Sequence, residues 1–120
     1  MQPYEKLAAW KEAYSLTLET YKATVGYPKH ELYGMVSQSR RAAYSIVANL
    51  VEGSAKRGSR EFRRFLDISI GSLGELSVAL RLARDLGYLD EAAWARLEDQ
   101  RHRAAFLVWH LYRSLGERGR

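Results

Sequence analysis

Apolar positions in this chain recur every three or four residues in four long runs, and short segments rich in glycine, serine and charge separate the runs. That spacing places the apolar side chains of each run on one face of an α-helix. The first run predicts a helix over residues 4–25, with Leu7, Trp10, Tyr14, Leu18, Tyr21 and Val25 facing inward. Pro3 suits its first turn, and Gly26 and Pro28 end it. The second helix is expected over 36–53, with Met35, Ser39, Ala42, Ala43, Ile46 and Leu50 inward; Gly34 sets residues 31–34 apart as a short turn. After a connector over 55–58, Ser59 is a good N-cap for a third helix running to residue 86. Its inward residues are Phe62, Phe65, Leu66, Ser69, Leu73, Leu76, Leu80 and Ala83. Gly87 stands where a left-handed C-cap is wanted, and Asp90 can cap a fourth helix over 90–116. That helix turns Ala93, Leu97, Ala104, Leu107, Val108, Leu111 and Leu115 inward, and the tail from Gly116 to Arg120 is expected to fray. No strand pattern competes. The expected fold is all-α: one domain over residues 1–120, an antiparallel up-down-up-down four-helix bundle.

The inward stripes do not use up the apolar residues. On the second helix Tyr44, Val47 and Val51 lie roughly 100° or more away from the inner stripe, counting about 100° per residue. On the third, Ile68, Val78 and Leu82 do likewise, with Gly71 among them, and Phe106 lies opposite the inner stripe of the fourth. A contiguous patch of this kind suits self-association; scattered exposed apolar residues, which are ordinary, are the plainer reading. Gly71 and Gly74 favour the patch, since each costs about 1 kcal/mol against alanine inside a helix and a close neighbouring backbone would explain them. The expected interface is therefore Tyr44, Val47, Val51, Ile68, Gly71, Val78 and Leu82.

Length and composition change this picture only by exclusion. With 120 residues, 47% hydrophobic and 28% charged, the chain can bury a real core. It has no cysteine, which removes disulfides, thiol nucleophiles and cysteine-bound zinc. No apolar run is long enough to span a membrane, and the N-terminal residues lack a signal-peptide core, so a cytoplasmic location is expected.

Charge matters through its placement. The net charge is +5, and Lys56, Arg57, Arg60, Arg63 and Arg64 cluster around the connector against a single Glu61. Arginine outnumbers lysine among the 19 basic residues, and its planar fork matches phosphate oxygens. These five residues are the candidate nucleic-acid contacts, phosphate-led and weakly sequence-specific; the competing reading is a surface kept soluble by arginine. No aromatic stacking motif of the RNA-module kind accompanies them.

Other polar residues suggest structural work. If the second and third helices are antiparallel about residue 57, Arg41 lies within a turn of Glu75, and an ion pair is expected within a subunit or across an interface. Asn49 could bond orphan backbone groups at the turn, Glu52 could approach the start of the third helix or an arginine, and Gly53 could end the helix or allow tight packing. Catalysis finds no support: His30, His102 and His110 lack metal-pair spacing, no nucleophile motif or phosphate loop appears, and the remaining carboxylates read as caps and solvated faces. Neither metal nor cofactor is expected.

The segments ELYGMVSQSRRAA, SIVANLVEG, EFRRFL, GSLGEL and LGYL, in this order and spacing, resemble the four-helix-bundle family named for 23S rRNA intervening sequences. The resemblance runs from Leu7 to Leu115. It implies a four-helix bundle that assembles as a ring-like homopentamer in the bacterial cytosol. It also implies kinship with accessory proteins of diversity-generating retroelements, basic barrels that bind nucleic acid and a reverse transcriptase. Three positions depart from the family pattern: Ser39 replaces an apolar residue, Val36 a frequent threonine and Val47 a frequent proline. Ser39 is expected to bond a carbonyl one turn back. The expected function is a non-catalytic homo-oligomeric scaffold that binds RNA or DNA through the basic patch. The alternative is a protein–protein adaptor ring with no direct nucleic-acid role, its arginines incidental; a reverse transcriptase or another protein is a candidate partner.

Overall fold

The helical periodicity is realised in a computed structural model as four α-helices: α1 (Ala8–Thr24), α2 (Ser37–Ser54), α3 (Ser59–Asp85) and α4 (Glu91–Arg118). Tyr4 and residues 7–118 are described, without the side chains of 117 and 118. The expected place of Pro3 in the first helical turn, and the last two residues of the tail, lie outside them. Helix α4 continues to Arg118, two residues past the expected end at 116.

Cross-helix contacts fix the packing. Thr17 Oγ1 donates to the Ala43 carbonyl at 3.2 Å, and Arg40 Nε to Thr24 Oγ1 at 2.9 Å. Ser69 Oγ donates to the Ile46 carbonyl, and Ser72 Oγ to Ser45 Oγ. Ser77 reaches Glu98, Gln100 reaches Ser15, and Arg103 reaches Glu12. Arg63 lies over the Tyr112 ring, a second contact between the helices that Ser77 and Glu98 join. In each pair of helices one residue number rises as the other falls, so neighbouring helices run antiparallel, and α1 meets both α2 and α4. Leu16, Ile46, Leu50, Leu66, Leu76, Leu80, Leu97 and Val108 fill the centre.

The inward stripes of α2, α3 and α4 fall where the periodicity puts them. Ala42, Ala43, Ile46, Leu50, Leu73, Leu80, Ala83, Ala104 and Leu115 are buried. Helix α1 is turned the other way. It buries Ala9, Ala13, Leu16, Thr20 and Thr24, while Tyr14, Leu18, Tyr21 and Val25 are exposed; of the residues expected inward, only Leu7 and Trp10 are half-buried, and Trp10 packs against the core. The reason is polar satisfaction together with size. Thr20 and Thr24 return their hydroxyls to carbonyls one turn back, at 2.8 and 2.9 Å, so these small side chains enter the core without an unmade hydrogen bond. Ser39 behaves otherwise: its hydroxyl is buried with no partner among the described residues, contrary to the expected bond one turn back.

The ends of the bundle are built differently. Between α1 and α2, a 3₁₀ turn over Lys29–Glu31 leads into one wide turn over Leu32–Val36 that kinks at Gly34. Glu31 holds this corner, accepting from the Met35 amide at 3.1 Å and from the Tyr88 hydroxyl at 2.7 Å. A side chain at residue 34 would collide with it, for a Cβ there would stand 2.5 Å from Glu31 Oε1. Tyr88 is delivered by the end of α3: Gly87 has φ +81°, and the Tyr88 amide reaches back to the Ala83 carbonyl at 2.8 Å, the pairing of a Schellman cap. Asp90 caps α4 as expected, accepting from the Ala93 amide at 2.7 Å. Arg40 bonds the Tyr21 carbonyl near the end of α1 and lies over the Tyr21 ring, a favourable place for a cation.

Candidate nucleic-acid interface

The opposite end carries the basic connector. Helix α2 stops at Ser54, and Gly58, at φ +85°, turns the chain into α3. Gly58 rather than Ser59 occupies the N-cap position, and Ser59 makes no capping bond because it is already the first helical residue. The tight approach of the two helices is set by Gly53, which lies inside α2. A Cβ there would stand 2.8 Å from Phe62 Cδ1 and 3.0 Å from Phe65 Cβ.

The five sequence candidates separate. Arg60, Arg63 and Arg64 line a groove of about 1040 Å³ between the first turns of α3 and the last turns of α4, and Arg113 joins them from α4. Glu61 and Asp67 share the groove, so four arginines face two carboxylates. Arg63 is the fixed member. Its guanidinium lies 4.2 Å from the Tyr112 ring centre, and its Nε is buried without a partner among the described residues. Arg64 pairs with Glu61 at 3.3 Å, an exposed contact worth ~0–1 kcal/mol. Lys56 and Arg57 stand outside the groove. Lys56 pairs with Glu52 at 3.5 Å and lies over the Phe65 ring, whereas Arg57 is exposed on the connector.

The expected polar network takes another form. Arg41 and Glu75 are both exposed, and no ion pair joins them within the chain. Asn49 does not reach the turn; its amide donates to the Ser45 carbonyl at 2.8 Å, one turn back. Glu52 is held by Lys56 rather than by the start of α3. Gly53 serves tight packing, the second of its two expected roles. At the far end of α2 the structural arginine is Arg40, next to the one singled out, and the structural carboxylate is Glu31. Local spacing does not mark them, because Thr24 and Tyr21, which hold Arg40, and Tyr88, which holds Glu31, come from other helices or corners of the bundle. Tyr88 holds the Glu31 carboxyl below its ordinary value, with the Met35 amide adding to this; the same bond raises the Tyr88 phenol. Burial alone pushes Tyr27, which packs against Tyr88, up to about 12.

The expected interface residues divide as well. Tyr44, Ile68, Val78 and Leu82 are exposed, and no atom lies within 4 Å of a Cβ built on Gly71 or Gly74. Val47 is instead a core residue, 8% exposed, because the buried face of α2 is broad enough to take it in beside Ala43, Ile46 and Leu50, next to Trp10 and Tyr14 of α1. Val51 is half-buried and borders a hollow of about 500 Å³ with Trp10, Tyr14 and Tyr44. The exposed apolar surface therefore extends onto α1, a part the inward assignment of Tyr14 and Leu18 concealed.

Among the described residues no three His, Asp or Glu side chains converge as a metal site would require, and no helix is long and apolar enough to cross a membrane. No curated protein matches the chain. The family described as 23S rRNA-intervening sequence protein matches residues 5–108. That match spans most of the chain and takes in α1 to α3 and the larger part of α4, so this four-helix protein belongs to the 23S rRNA-intervening sequence protein family.

Proposed function

We propose that the protein is a non-catalytic, self-associating scaffold that binds nucleic acid at the end of the bundle where α3 begins. The observation that carries this reading is the groove in which Arg60, Arg63, Arg64 and Arg113 converge from two helices. Arginines so placed offer several phosphate contacts within a short span, and the first amides of α3 add donors. Self-association is supported by the exposed Tyr44, Ile68, Val78 and Leu82, and copies of one groove in a ring would gain avidity. The family name supports an RNA partner, and the family resemblance supports a pentamer in the cytoplasm.

Binding of this kind is dominated by counterion release, so affinity for a labelled rRNA fragment falls steeply with salt, by about 0.7–0.9 log units per log unit of salt for each phosphate contacted. Anisotropy titrations of the wild type and the Arg60→Glu/Arg64→Glu variant test it. The variant is expected to lose at least tenfold in affinity and to show a shallower salt slope. Unchanged binding excludes the groove.

A second reading, an adaptor that docks a protein such as a reverse transcriptase, is favoured by one observation: the exposed Tyr14, Leu18, Tyr21 and Val25 on α1. A partner captured equally well with and without nuclease treatment, and lost in Leu18→Lys, selects it over the first.

A further inference from the structure

The basic groove does not end at Arg113. The same arginine borders a second hollow, about 490 Å³, with His102, Ala105, Phe106 and Trp109. Residues 102, 106, 109 and 113 are spaced four, three and four apart, so they form one stripe along α4. The stripe lies on the outer face of α4, and Trp109 is its link to the α3 side, because it touches Tyr112, which meets Arg63 there. Its length is about 16 Å at 1.5 Å per residue, room for roughly five stacked nucleotides at about 3.4 Å each. Phe106 is 61% exposed and Trp109 42%. Tyr112 braces Trp109 edge-on at 5.6 Å.

We infer that the α3–α4 groove, together with the outer face of α4 that continues it past Arg113, takes a single strand of nucleic acid, with phosphates on Arg60, Arg63, Arg64 and Arg113 and unpaired bases stacked on Trp109 and Phe106. This rests on the nucleic-acid reading above and narrows it. The argument is one of complementarity. A duplex keeps its base faces inside and presents phosphates, which have no favourable contact with bare aromatic rings. A single strand presents both, and a basic groove continued by exposed rings is the arrangement that binds it. Aromatic stacking beside the arginines is therefore available here, although no local RNA-module motif announces it. The rings come from α4, about fifty residues away from the connector in the chain.

The experiment uses the full chain, a labelled 12-nucleotide single strand and a duplex of the same length, read by anisotropy and by tryptophan fluorescence. Trp109 is the informative fluorophore, since Trp10 and Trp94 have buried indole nitrogens. The single strand is expected to bind at least tenfold more tightly than the duplex and to quench Trp109. Trp109→Ala is expected to weaken single-strand binding roughly fivefold or more, as the loss of one base stack implies, with the salt slope unchanged and Trp109→Phe restoring much of the affinity. Arg113→Glu is expected to reduce the salt slope. Equal affinity for duplex and single strand overturns the inference. So does binding that depends on Arg60 and Arg64 but not on Trp109 or Phe106, and in that case the broader reading survives. A Trp109→Ala variant with altered particle mass also overturns it, because another copy would then cover the stripe. No binding to either probe removes the inference and the broader reading together.

Discussion

The same substitution, glycine to alanine, is expected to have opposite effects at two places on this bundle. At Gly71 and Gly74, both exposed on α3, an added Cβ meets nothing within 4 Å. Each replacement should release the helix-interior cost of glycine, about 1 kcal/mol, so the double variant gains about 2 kcal/mol per subunit. At Gly53 the same gain is opposed by Phe62 Cδ1 at 2.8 Å and Phe65 Cβ at 3.0 Å. Overpacking of this kind costs about 1–3 kcal/mol, which leaves Gly53→Ala between neutral and about 2 kcal/mol destabilised. Urea unfolding of dissociated subunits reads the difference. With a slope of roughly 1.5 kcal/mol/M, a gain of 2 kcal/mol moves the midpoint up by about 1.3 M. Light scattering of the same variants at higher concentration reads assembly. If Gly71 and Gly74 admit a neighbour's backbone, the double variant dissociates where the wild type is assembled, although its own subunits are sturdier. An unchanged particle mass refutes close approach at these glycines. A Gly53→Ala variant as stabilised as the α3 variants refutes the packing argument at the connector.

Two further perturbations test the rotation of α1 and the corner held by Glu31. Leu16→Ala, in the core, should cost about 2–5 kcal/mol, whereas Leu18→Lys, on the exposed face, should change subunit stability by less than about 0.5 kcal/mol; urea midpoints reversing that order would restore Leu18 to the core. Glu31 has its carboxyl held below the ordinary value of 4.5, chiefly by Tyr88 and then by the Met35 amide, so its contribution is present above pH 4.5 and is lost as pH falls through the lowered value. Tyr88 is raised above 10.0, so its contribution is present below pH 10 and is lost as pH climbs through the raised value. The stability difference between wild type and Glu31→Gln should be flat from about pH 5 to 9 and shrink below pH 4; a difference constant down to pH 3 contradicts this.

The contrast between α1 and the other helices shows what a hydrophobic pattern can reveal. On α2, α3 and α4 the aliphatic side chains that recur at helical spacing, such as Ile46, Leu76 and Val108, coincide with the buried stripe, while Tyr44, Ile68, Phe106 and Trp109 stay exposed beside it, so periodicity locates the core there. On α1 two stripes compete, one aromatic and one built of alanine, leucine and threonine. Hydrophobicity ranks the aromatic stripe higher. Packing selects the other, because threonine can satisfy its hydroxyl within its own helix while small side chains let neighbouring helices approach. The site follows a similar division. Arg60, Arg63 and Arg64 are visible as a local cluster, but Arg113 and Trp109 join them only through the antiparallel return of α4. Glu31 and Tyr88, 57 residues apart, are likewise invisible to spacing although each sits in a recognisable segment, ELYGM and LGYL.

These placements give the two ends of the bundle different tasks. At the end holding the α1–α2 and α3–α4 corners, the polar groups are committed to each other: Glu31 to Tyr88 and Met35, Arg40 to Thr24 and Tyr21, Asp90 to Ala93. With both oxygens of Glu31 held by groups from two different corners, this end reads as a structural lock. At the connector end the charges are only loosely held. Lys56 and Arg64 rest in exposed pairs that a polyanion can displace at ~0–1 kcal/mol each, and Arg57 and Arg60 have no carboxylate within ion-pair distance among the described residues. Arg63 is the exception that organises the rest, because its stack on Tyr112 ties the first turns of α3 to the last turns of α4. Replacing it should therefore disturb both the groove and the packing. That is why Arg60 and Arg64, not Arg63, separate binding from folding in the charge-reversal test.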